Sequence, residues 1–287
     1  MKAREFLGIF KVEITVLIDI VAVSAFLSVP GSTLRLALLA PLLVSGSLAS
    51  FSSALFNNIY DQDIDGRMKR TEYRTKLINW KTRNLYIAVA TLMIALSMAI
   101  SQIYLNTLTS LFIFGGFLSY FVLYTVILKR RTIWNIVIGG IAGSFPALAG
   151  WSSLTGSVSS TSLFLAFLVF LWTPSHFWSL ASSRVEDYIQ ADVPMLPVVK
   201  GGVKASTRWI FTNTVVLVAY TLIPFFVHMD LGRAYFPIAI ASDVAFLYLT
   251  GRLLVSSDTP SLKRAFHFSN LYLLLILVSV WLVAVGW

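Results

Sequence analysis

Nine apolar runs, each close to the length of a membrane-spanning helix, dominate this sequence. An apolar α-helix of about 20 residues crosses the hydrocarbon core of a bilayer, and breaks rich in charged residues or in Gly, Pro and Ser separate the runs. The chain is 57% hydrophobic and only 12% charged, which excludes an ordinary soluble globular domain. We therefore predict an all-α integral membrane protein that forms a single domain over residues 1–287. The predicted spans are roughly 12–29, 34–57, 84–101, 103–128, 133–153, 159–181, 209–228, 234–255 and 269–287, and the third and fourth separate at Ser101–Gln102.

Charge and cysteine content narrow the classes of partner and site. The chain has no cysteine, which excludes disulfides, thiolate metal sites and iron–sulfur clusters built by this chain alone. Twenty of its 22 basic residues fall in loops on one side of the predicted spans, and only Arg35 and Arg233 fall on the other. This asymmetry predicts a multi-pass protein of the cell membrane whose N-terminus and long loops are cytoplasmic. The net charge of +9 is thereby explained by topology, and the expected partner is the lipid bilayer with no nucleic acid.

Oxygen-bearing side chains recur every four residues at the cytoplasmic end of the second span. If the helix continues, Asn57, Asp61 and Asp65 form one stripe, whereas Asp63 falls on the opposite face and is expected to be solvated. Crowded carboxylates at a membrane boundary need compensating positive charge. Magnesium, which prefers one or two carboxylates together with phosphate oxygens and water, would supply it. Pairing with the basic residues at 67–70 would also supply it, and spacing alone leaves both interpretations open.

A second acidic group lies on the same side of the membrane and favours the metal interpretation. Glu186, Asp187 and Asp192 occur there, with Arg184 and Lys200 nearby. Two acidic clusters on one face can hold two metal ions, and basic side chains can hold the remaining oxygens of a diphosphate. Departure of diphosphate from an allylic carbon leaves a carbocation, which aromatic residues in a closed cavity can shield. The residues therefore predict transfer of a prenyl group from a prenyl diphosphate to a membrane-embedded acceptor.

Several longer segments resemble a known family. The two acidic clusters are similar to those of the UbiA-type intramembrane prenyltransferases. More narrowly, WTPSHFWSLA, EDY and PMLPVVKGG within 171–202, together with Tyr124–Trp151 and KRAFHFSNLYLLL from Lys263, are similar to the haem O synthase branch, the protoheme IX farnesyltransferases. The family fold implied by this resemblance is a ring of nine helices around a central cavity open to lipid.

The resemblance also implies a reaction and a set of site residues. Haem B and farnesyl diphosphate would give haem O and diphosphate, with water adding at the haem vinyl group and with Mg²⁺, expected as two ions, as cofactor. Factors of terminal oxidase assembly are implied as further partners. The residues implied to hold magnesium and diphosphate are Asn57, Asp61, Asp65 and Asp187. The candidates for substrate contacts, each of which ordinary positive-inside topology would also explain, are Arg70, Arg74, Lys129, Arg130, Arg184 and Lys200.

His176 is the remaining candidate catalytic residue. It precedes Asp187 by eleven positions, which on a continuous helix is three turns and nearly the same face, so it would reach into the cavity as a haem iron ligand or a proton acceptor. The alternative is a histidine hydrogen-bonded between packed helices beside Pro174. Asp19 and Asp243 lie inside predicted spans, where a carboxylate is either functional or satisfied by neighbouring polar groups.

Departures from the family pattern leave the acceptor open. The chain has Lys11–Glu13 where the family usually has Lys-Pro-Arg, and Arg74–Asn79 where it usually has Arg-Pro-Leu-Pro-Ser-Gly; Asp192 replaces a common glycine. An aromatic quinone precursor or a lipid is therefore a rival acceptor. A cation-coupled transporter is a rival of another class, but its ion sites would be expected at mid-membrane, whereas both acidic clusters lie on one face.

Overall fold

The computed structural model describes residues 3–199 and 201–282, and within these ranges the regular structure is entirely helical. Each predicted span coincides with a long helical segment, so the predicted all-α membrane architecture is confirmed. The helices are α1 Ala3–Ile9, α2 Val12–Leu27, α3 Leu39–Tyr60, α4 Gln62–Arg67, α5 Tyr73–Leu77, α6 Arg83–Tyr104, α7 Thr107–Leu118, α8 Asn135–Gly139, α9 Phe145–Thr155, α10 Ser160–Ser183, α11 Val185–Gln190, α12 Leu196–Val199, α13 Gly202–Thr221, α14 Ile223–Phe226, α15 Tyr235–Arg252 and α16 Thr259–Trp281.

Short irregular helices extend three of these elements. A 3₁₀ segment, Ser32–Leu38, leads into α3; a π-helix, Ser119–Leu128, continues α7; and a 3₁₀ turn, Gly140–Gly143, joins α8 to α9. Seven of the resulting segments are long and apolar enough to cross a membrane by length and composition. Two long helices are not among these seven: α2 has only 16 residues, and α15 carries Asp243 and Arg252. The predicted count of nine spans is therefore approximate.

The long helices of the described residues form a closed ring. Each of α2, α3, α6, α7, α9, α10, α13, α15 and α16 packs against the next along the chain, and α16 packs against α2. Further contacts of α2 with α9, and of α10 with α16, draw parts of the ring together. A cavity lies inside the ring, lined by residues of α2, α3, α7, α9 and α10.

Several observed helix boundaries differ from those predicted from hydropathy. The third and fourth spans separate at Leu105–Asn106 rather than at Ser101–Gln102, because the Asn106 side chain caps α7 by accepting a hydrogen bond from the Thr109 backbone N–H at 2.9 Å. The helices α13 and α16 begin at Gly202 and Thr259, well before the predicted 209 and 269, since their first turns carry basic residues that hydropathy excludes. Residues 283–287 of the last predicted span lie outside the described residues.

One glycine sets how closely two helices approach. A Cβ atom added at Gly150 of α9 would lie 2.0 Å from the backbone oxygen of Ala22 in α2, a distance that no pair of non-bonded atoms tolerates. Two glycines of the turn between α8 and α9 also pack closely: a Cβ at Gly140 would lie 3.1 Å from Thr173 and one at Gly143 would lie 3.0 Å from Val169. These contacts hold α8 and α9 against α2 and α10, at the wall of the cavity.

Candidate functional site

The predicted stripe of oxygen-bearing side chains forms. Although α3 ends at Tyr60 and α4 starts at Gln62, the Asp61 N–H donates to the Asn57 carbonyl and the Asp65 N–H to the Asp61 carbonyl, both at 2.8 Å. The helical spacing therefore continues across the junction. Asn57, Asp61 and Asp65 are all buried, with exposures of 3%, 0% and 4%.

The Asp61 carboxylate accepts hydrogen bonds from three side chains. One carboxylate oxygen accepts from the Lys129 ammonium and from Asn57 Nδ2 at 2.8 Å, and the other accepts from Arg130 at 3.2 Å. Both terminal nitrogens of Arg130 also donate hydrogen bonds to the Asp63 carboxylate, each at 2.7 Å. Asp63 is exposed as expected, but it is paired as well as solvated, and the Arg130 guanidinium lowers the pKa of its carboxyl group.

Asp65 and Asn57 bind two further cations. Arg74 contacts both oxygens of Asp65 at 3.4 Å. Lys11 donates to the Asn57 side-chain oxygen and to the Tyr120 hydroxyl at 2.9 Å. Sequence reasoning did not select Lys11 as a site residue; its one signal was a basic residue immediately before the first turn of the first span. Burial lowers the pKa of Lys11 well below its usual value, and the neighbouring Arg74 and Lys129 lower it further.

These side chains form what we name the charged cluster. Its members are Lys11, Asn57, Asp61, Asp65, Arg74, Lys129 and Arg130. The basic residues at 67–70, which could have neutralised the acids locally, form no ion pair with them among the described residues, so that interpretation of the stripe is wrong. The predicted contact residue Arg70 is exposed and stands outside the cluster's ion pairs. Partners from distant helices provide the compensating charge instead.

The cluster has more donor capacity than its own acids use. Four cations face two buried carboxylates and the exposed Asp63. The Nε atoms of Arg74 and Arg130 are buried and have no hydrogen-bond partner among the described residues. A buried donor without a partner is costly, and anionic oxygens would satisfy both. The cluster therefore has the charge and the free donors of an anion site that also contains carboxylates.

The second acidic segment lies beside the first. Ile64 and Met68, which lie on either side of Asp65, share an apolar cluster with Tyr188 and Ala191, which lie between Asp187 and Asp192. Asp187 lies in the first turn of the short helix α11 and is half-buried. The two acidic segments thus lie at the same end of the bundle.

The structure does not bring every predicted residue of the second segment to the charged cluster. No group of three or more His, Cys, Asp or Glu side chains lies close enough to hold a metal ion within 3–199 and 201–282, so Asp187 does not join Asp61 and Asp65 in one closed set of acids. Arg184 is exposed and makes no ion pair with an acid in this part of the chain. Lys200 lies outside the described residues.

The cavity reaches the charged cluster at Lys11, which belongs to its lining together with Tyr120 and Tyr124. The two tyrosines are carried by the π-helix that ends immediately before Lys129. The rest of the lining is mostly apolar, with Phe112, Ile113, Phe117, Phe145, Val169, Trp172 and Phe177 among its members. An apolar chamber thus meets the charged cluster at one point of its wall, which suits a molecule with an anionic head and a hydrocarbon body.

His176 lies in this chamber, but not for the reason that the spacing suggested. The helix α10 ends at Ser183 and Arg184 is not helical (φ −135°, ψ 33°), so the continuous helix from His176 to Asp187 that we assumed is wrong. His176 nevertheless lines the cavity. Its Nδ1 also contacts Ser269 Oγ of α16 at 2.7 Å, so the interhelical hydrogen bond and the cavity position are both present.

The two acids inside the spans differ in setting. Asp243 is buried, and its carboxylate accepts from the Tyr272 and Thr221 hydroxyls, both at 2.8 Å, which is the structural alternative considered for it. Asp19 lines the cavity and accepts from Ser47 Oγ at 2.8 Å. Asp243 thus ties α13, α15 and α16 together away from the cavity, whereas Asp19 faces it.

Comparison with known proteins agrees with this arrangement. The model of the UbiA prenyltransferase family matches residues 18–285. Protoheme IX farnesyltransferase 2 of Picrophilus torridus is 52% identical over 98% of both chains. Protoheme IX farnesyltransferase of Alcanivorax borkumensis is 37% identical over 96% of this chain and 91% of its own.

Solved structures share the fold at low identity. A digeranylgeranylglyceryl phosphate synthase has a TM-score of 0.76 at 16% identity, covering 99% of each chain. A UbiA homologue from Archaeoglobus fulgidus, bound to GPP and Mg²⁺, has a TM-score of 0.70 at 16% identity, covering 96% of this chain and 99% of its own. Identity at this level shows the fold, and the family match with the closer relatives shows the rest: the chain is a multi-pass membrane prenyltransferase that belongs to the UbiA prenyltransferase family, in the protoheme IX farnesyltransferase branch.

Proposed function

We propose that this prenyltransferase moves the farnesyl group of farnesyl diphosphate to a vinyl group of haem B, giving haem O and diphosphate in a magnesium-dependent reaction. The observation that carries the proposal is the charged cluster, whose Lys11 lines an apolar cavity. The relatives named protoheme IX farnesyltransferase support the choice of prenyl donor and acceptor. The family match over residues 18–285 supports treating the whole chain as one catalytic domain.

The charged cluster is proposed to bind the diphosphate. Arg74 and Arg130 each have an unpaired buried Nε–H, and Lys11 and Lys129 lie in the same buried cluster. Charge-assisted hydrogen bonds from such groups to phosphate oxygens are stronger than neutral ones. Arg70 and Arg184, which lie in loops at the same end of the bundle, are proposed to complete the contacts from its outer side, and Lys200 is proposed as a further contact.

The donor set also fits magnesium. Mg²⁺ is usually bound by one or two carboxylates, with substrate phosphate and water completing the octahedron, so the separation of Asp187 from Asp61 and Asp65 is compatible with two ions that share the diphosphate. Asn57, Asp61 and Asp65 would hold Mg²⁺ on one side and Asp187 on the other. When bound, the metal neutralises the diphosphate and makes it a better leaving group. The neighbour bound to GPP and Mg²⁺ supports the choice of metal.

The proposed reaction needs the chain to direct charge and exclude water. The bond between C1 of the farnesyl group and the diphosphate oxygen breaks with its electron pair leaving on the oxygen, where Lys11, Arg74, Lys129 and Arg130 stabilise the developing charge. The terminal vinyl carbon attacks C1, and the oxygen of a water molecule then adds to the cation left on the inner vinyl carbon. The proton that this oxygen loses passes to the released diphosphate or to solvent. The apolar lining keeps other water away from both cations.

The acceptor is the part of the proposal that a direct assay can decide. Purified protein would be incubated with labelled farnesyl diphosphate, Mg²⁺ and one of three acceptors: haem B, 4-hydroxybenzoate or a glycerol phosphate lipid. We expect a hydroxyethylfarnesyl haem from haem B and no product from the other two. Chelation of the metal should stop the reaction and added Mg²⁺ should restore it. Product from the aromatic acid or the lipid alone would overturn the haem assignment, and diphosphate-independent cation uptake into vesicles would favour a transporter.

A further inference from the structure

His176 occupies an unusually well-fixed position in the cavity wall. The indole of Trp172 stacks on its ring with centroids 4.2 Å apart, Phe266 lies against the ring at 4.7 Å, and Phe177 meets it edge-on at 5.1 Å. Trp172 is itself fixed, because its Nε1 donates to the Ser269 backbone carbonyl at 2.7 Å. The imidazole therefore has little freedom to rotate, and its nitrogen atoms keep fixed directions.

The hydrogen bonds around Ser269 determine which ring nitrogen carries the proton. Ser269 Oγ lies 2.6 Å from the Phe266 carbonyl oxygen and 2.7 Å from His176 Nδ1. Two oxygen atoms 2.6 Å apart repel unless a proton lies between them, and a carbonyl cannot supply one. The single hydroxyl proton of Ser269 therefore goes to Phe266. Ser269 Oγ must then accept from His176, which places the ring proton on Nδ1.

This assignment leaves a lone pair on the other ring nitrogen. Nε2 of His176 makes no hydrogen bond among the described residues, and it is not among the fully enclosed polar atoms that lack a partner. Because His176 lines the cavity, Nε2 is the atom that a cavity ligand can reach. A neutral imidazole whose Nδ1–H is held by an oxygen acceptor is the usual form of a metal-binding histidine.

His176 shares its cavity with one member of the charged cluster, because Lys11 also lines it. The vinyl groups of a haem lie at the rim of the macrocycle, several ångströms from the iron. With its iron at His176, a haem whose rim is turned toward Lys11 would bring a vinyl group closer to the charged cluster, where C1 of the prenyl donor would lie.

We propose that His176 Nε2 is an axial ligand of the iron of the acceptor haem, with Ser269 as the positioning residue that fixes the ring tautomer. The inference rests on the proposed function, because it requires an iron porphyrin as acceptor. It decides between the two roles that the sequence left open for this histidine: the ring binds the acceptor rather than taking a proton from water.

A comparison of two porphyrins tests the proposal without relying on turnover. Haem B and metal-free protoporphyrin IX would be titrated into the full-length protein, the wild type and His176→Ala, with affinity and the iron spectrum as readouts. We expect the wild type to bind haem at least about tenfold more tightly than the metal-free porphyrin and to show a histidine-ligated spectrum. In His176→Ala the preference should fall to about one, and added imidazole should restore the spectrum. Retained binding of the metal-free porphyrin shows that this variant is folded.

Two further variants sharpen the result. His267→Ala, which removes an exposed histidine of α16, should leave the spectrum unchanged. Ser269→Ala should weaken haem binding about tenfold, the usual effect of removing a group that orients a metal-ligating histidine, with little effect on the metal-free porphyrin.

The outcomes separate the inference from the function on which it rests. A wild type that forms haem O but binds both porphyrins equally, without a histidine-ligated spectrum, would overturn the ligand assignment and leave the proposed reaction intact. A protein that neither binds nor prenylates haem would overturn both.

Discussion

At the scale of single residues, Asp61 and Asp63 bind the same guanidinium group in different surroundings. Arg130 contacts both, but the Asp61 side chain is 1% exposed and the Asp63 side chain 54%. Asp61 also accepts from Lys129 and Asn57, whereas the side-chain partner of Asp63 among the described residues is Arg130. The pair therefore offers a matched comparison of one carboxylate inside the charged cluster with another at its edge.

We expect Asp61→Asn to lower turnover about 100-fold or more, because the loss of a carboxylate ligand to magnesium removes several kcal/mol of charge stabilisation. Asp63→Asn should change turnover less than about fivefold, since an exposed ion pair contributes about 1 kcal/mol or less. Steady-state rates would be compared at equal amounts of membrane-inserted protein. A near-normal rate for Asp61→Asn would remove Asp61 from the proposed metal site.

Lys11 yields a second residue-scale prediction because its ammonium lies inside the cluster. Lys11→Met should raise the KM for farnesyl diphosphate about tenfold or more, through the loss of a charge-assisted hydrogen bond, and Lys11→Arg should recover part of it. Glu13→Gln, two residues later and exposed, serves as the control and should leave KM unchanged. An unaltered KM in Lys11→Met would show that this lysine has only a structural role.

The proposed role of Asp187 can be tested against its neighbour. Asp187→Ala should abolish turnover while the protein still inserts into the membrane, because the second acidic segment would lose its metal ligand. Glu186→Ala, which changes an exposed carboxylate one position away, should retain activity. If Asp187→Ala retained as much activity as Glu186→Ala, Asp187 would lie outside the metal site.

At the scale of helices, backbone proximity between α2 and α9 limits which side chains fit. Both helices contribute to the cavity wall, so their separation also sets the width of the chamber. The 2.0 Å approach that a Cβ atom at Gly150 would make is to backbone rather than to a movable side chain. Relief would therefore require the helices to move apart.

Gly150→Ala should lower the free energy of unfolding by about 1–3 kcal/mol, the usual cost of overpacking, or more if the helices cannot separate. Gly46→Ala is the matched control, because its Cβ would meet only a side-chain oxygen of Asp19 at 3.7 Å, an ordinary contact. Thermal unfolding in detergent, followed by the loss of the monodisperse species, measures both. Equal stability of the two variants would show that the α2–α9 contact yields at little cost.

At the scale of the whole molecule, the orientation in the membrane remains a prediction from the basic residues. The natural absence of cysteine makes single-cysteine labelling a direct test. Glu72→Cys lies in the exposed loop after the first acidic segment, and Ser157→Cys lies in the exposed turn between α9 and α10. In intact cells, an impermeant maleimide should label Ser157→Cys and should reach Glu72→Cys only after the membrane is opened. The reverse pattern would invert the proposed topology.

The ring of helices explains why the site could be only partly predicted. The spacing of Asn57, Asp61 and Asp65 is local: any helix places residues four apart on one face, whatever the helix packs against. Most of the cations that neutralise them are not local: Lys129 is 68 residues from Asp61 and Lys11 is 46 residues from Asn57, whereas Arg74 is nine residues from Asp65. Reasoning from neighbours along the chain pointed to the residues at 67–70, which form no ion pair with these acids among the described residues. Arg74, Lys129 and Arg130 became candidates only through the family resemblance.

The sequence by itself determined the all-α membrane architecture, the approximate spans and the acidic stripe, because each depends on hydrophobic length or helical periodicity over a few turns. Only the tertiary structure decided which basic residues enter the charged cluster, that Lys11 is one of them, and that His176 meets the cavity although its helix ends before Asp187. Those facts depend on how distant helices close into a ring, and hence on packing between surfaces that no local pattern specifies.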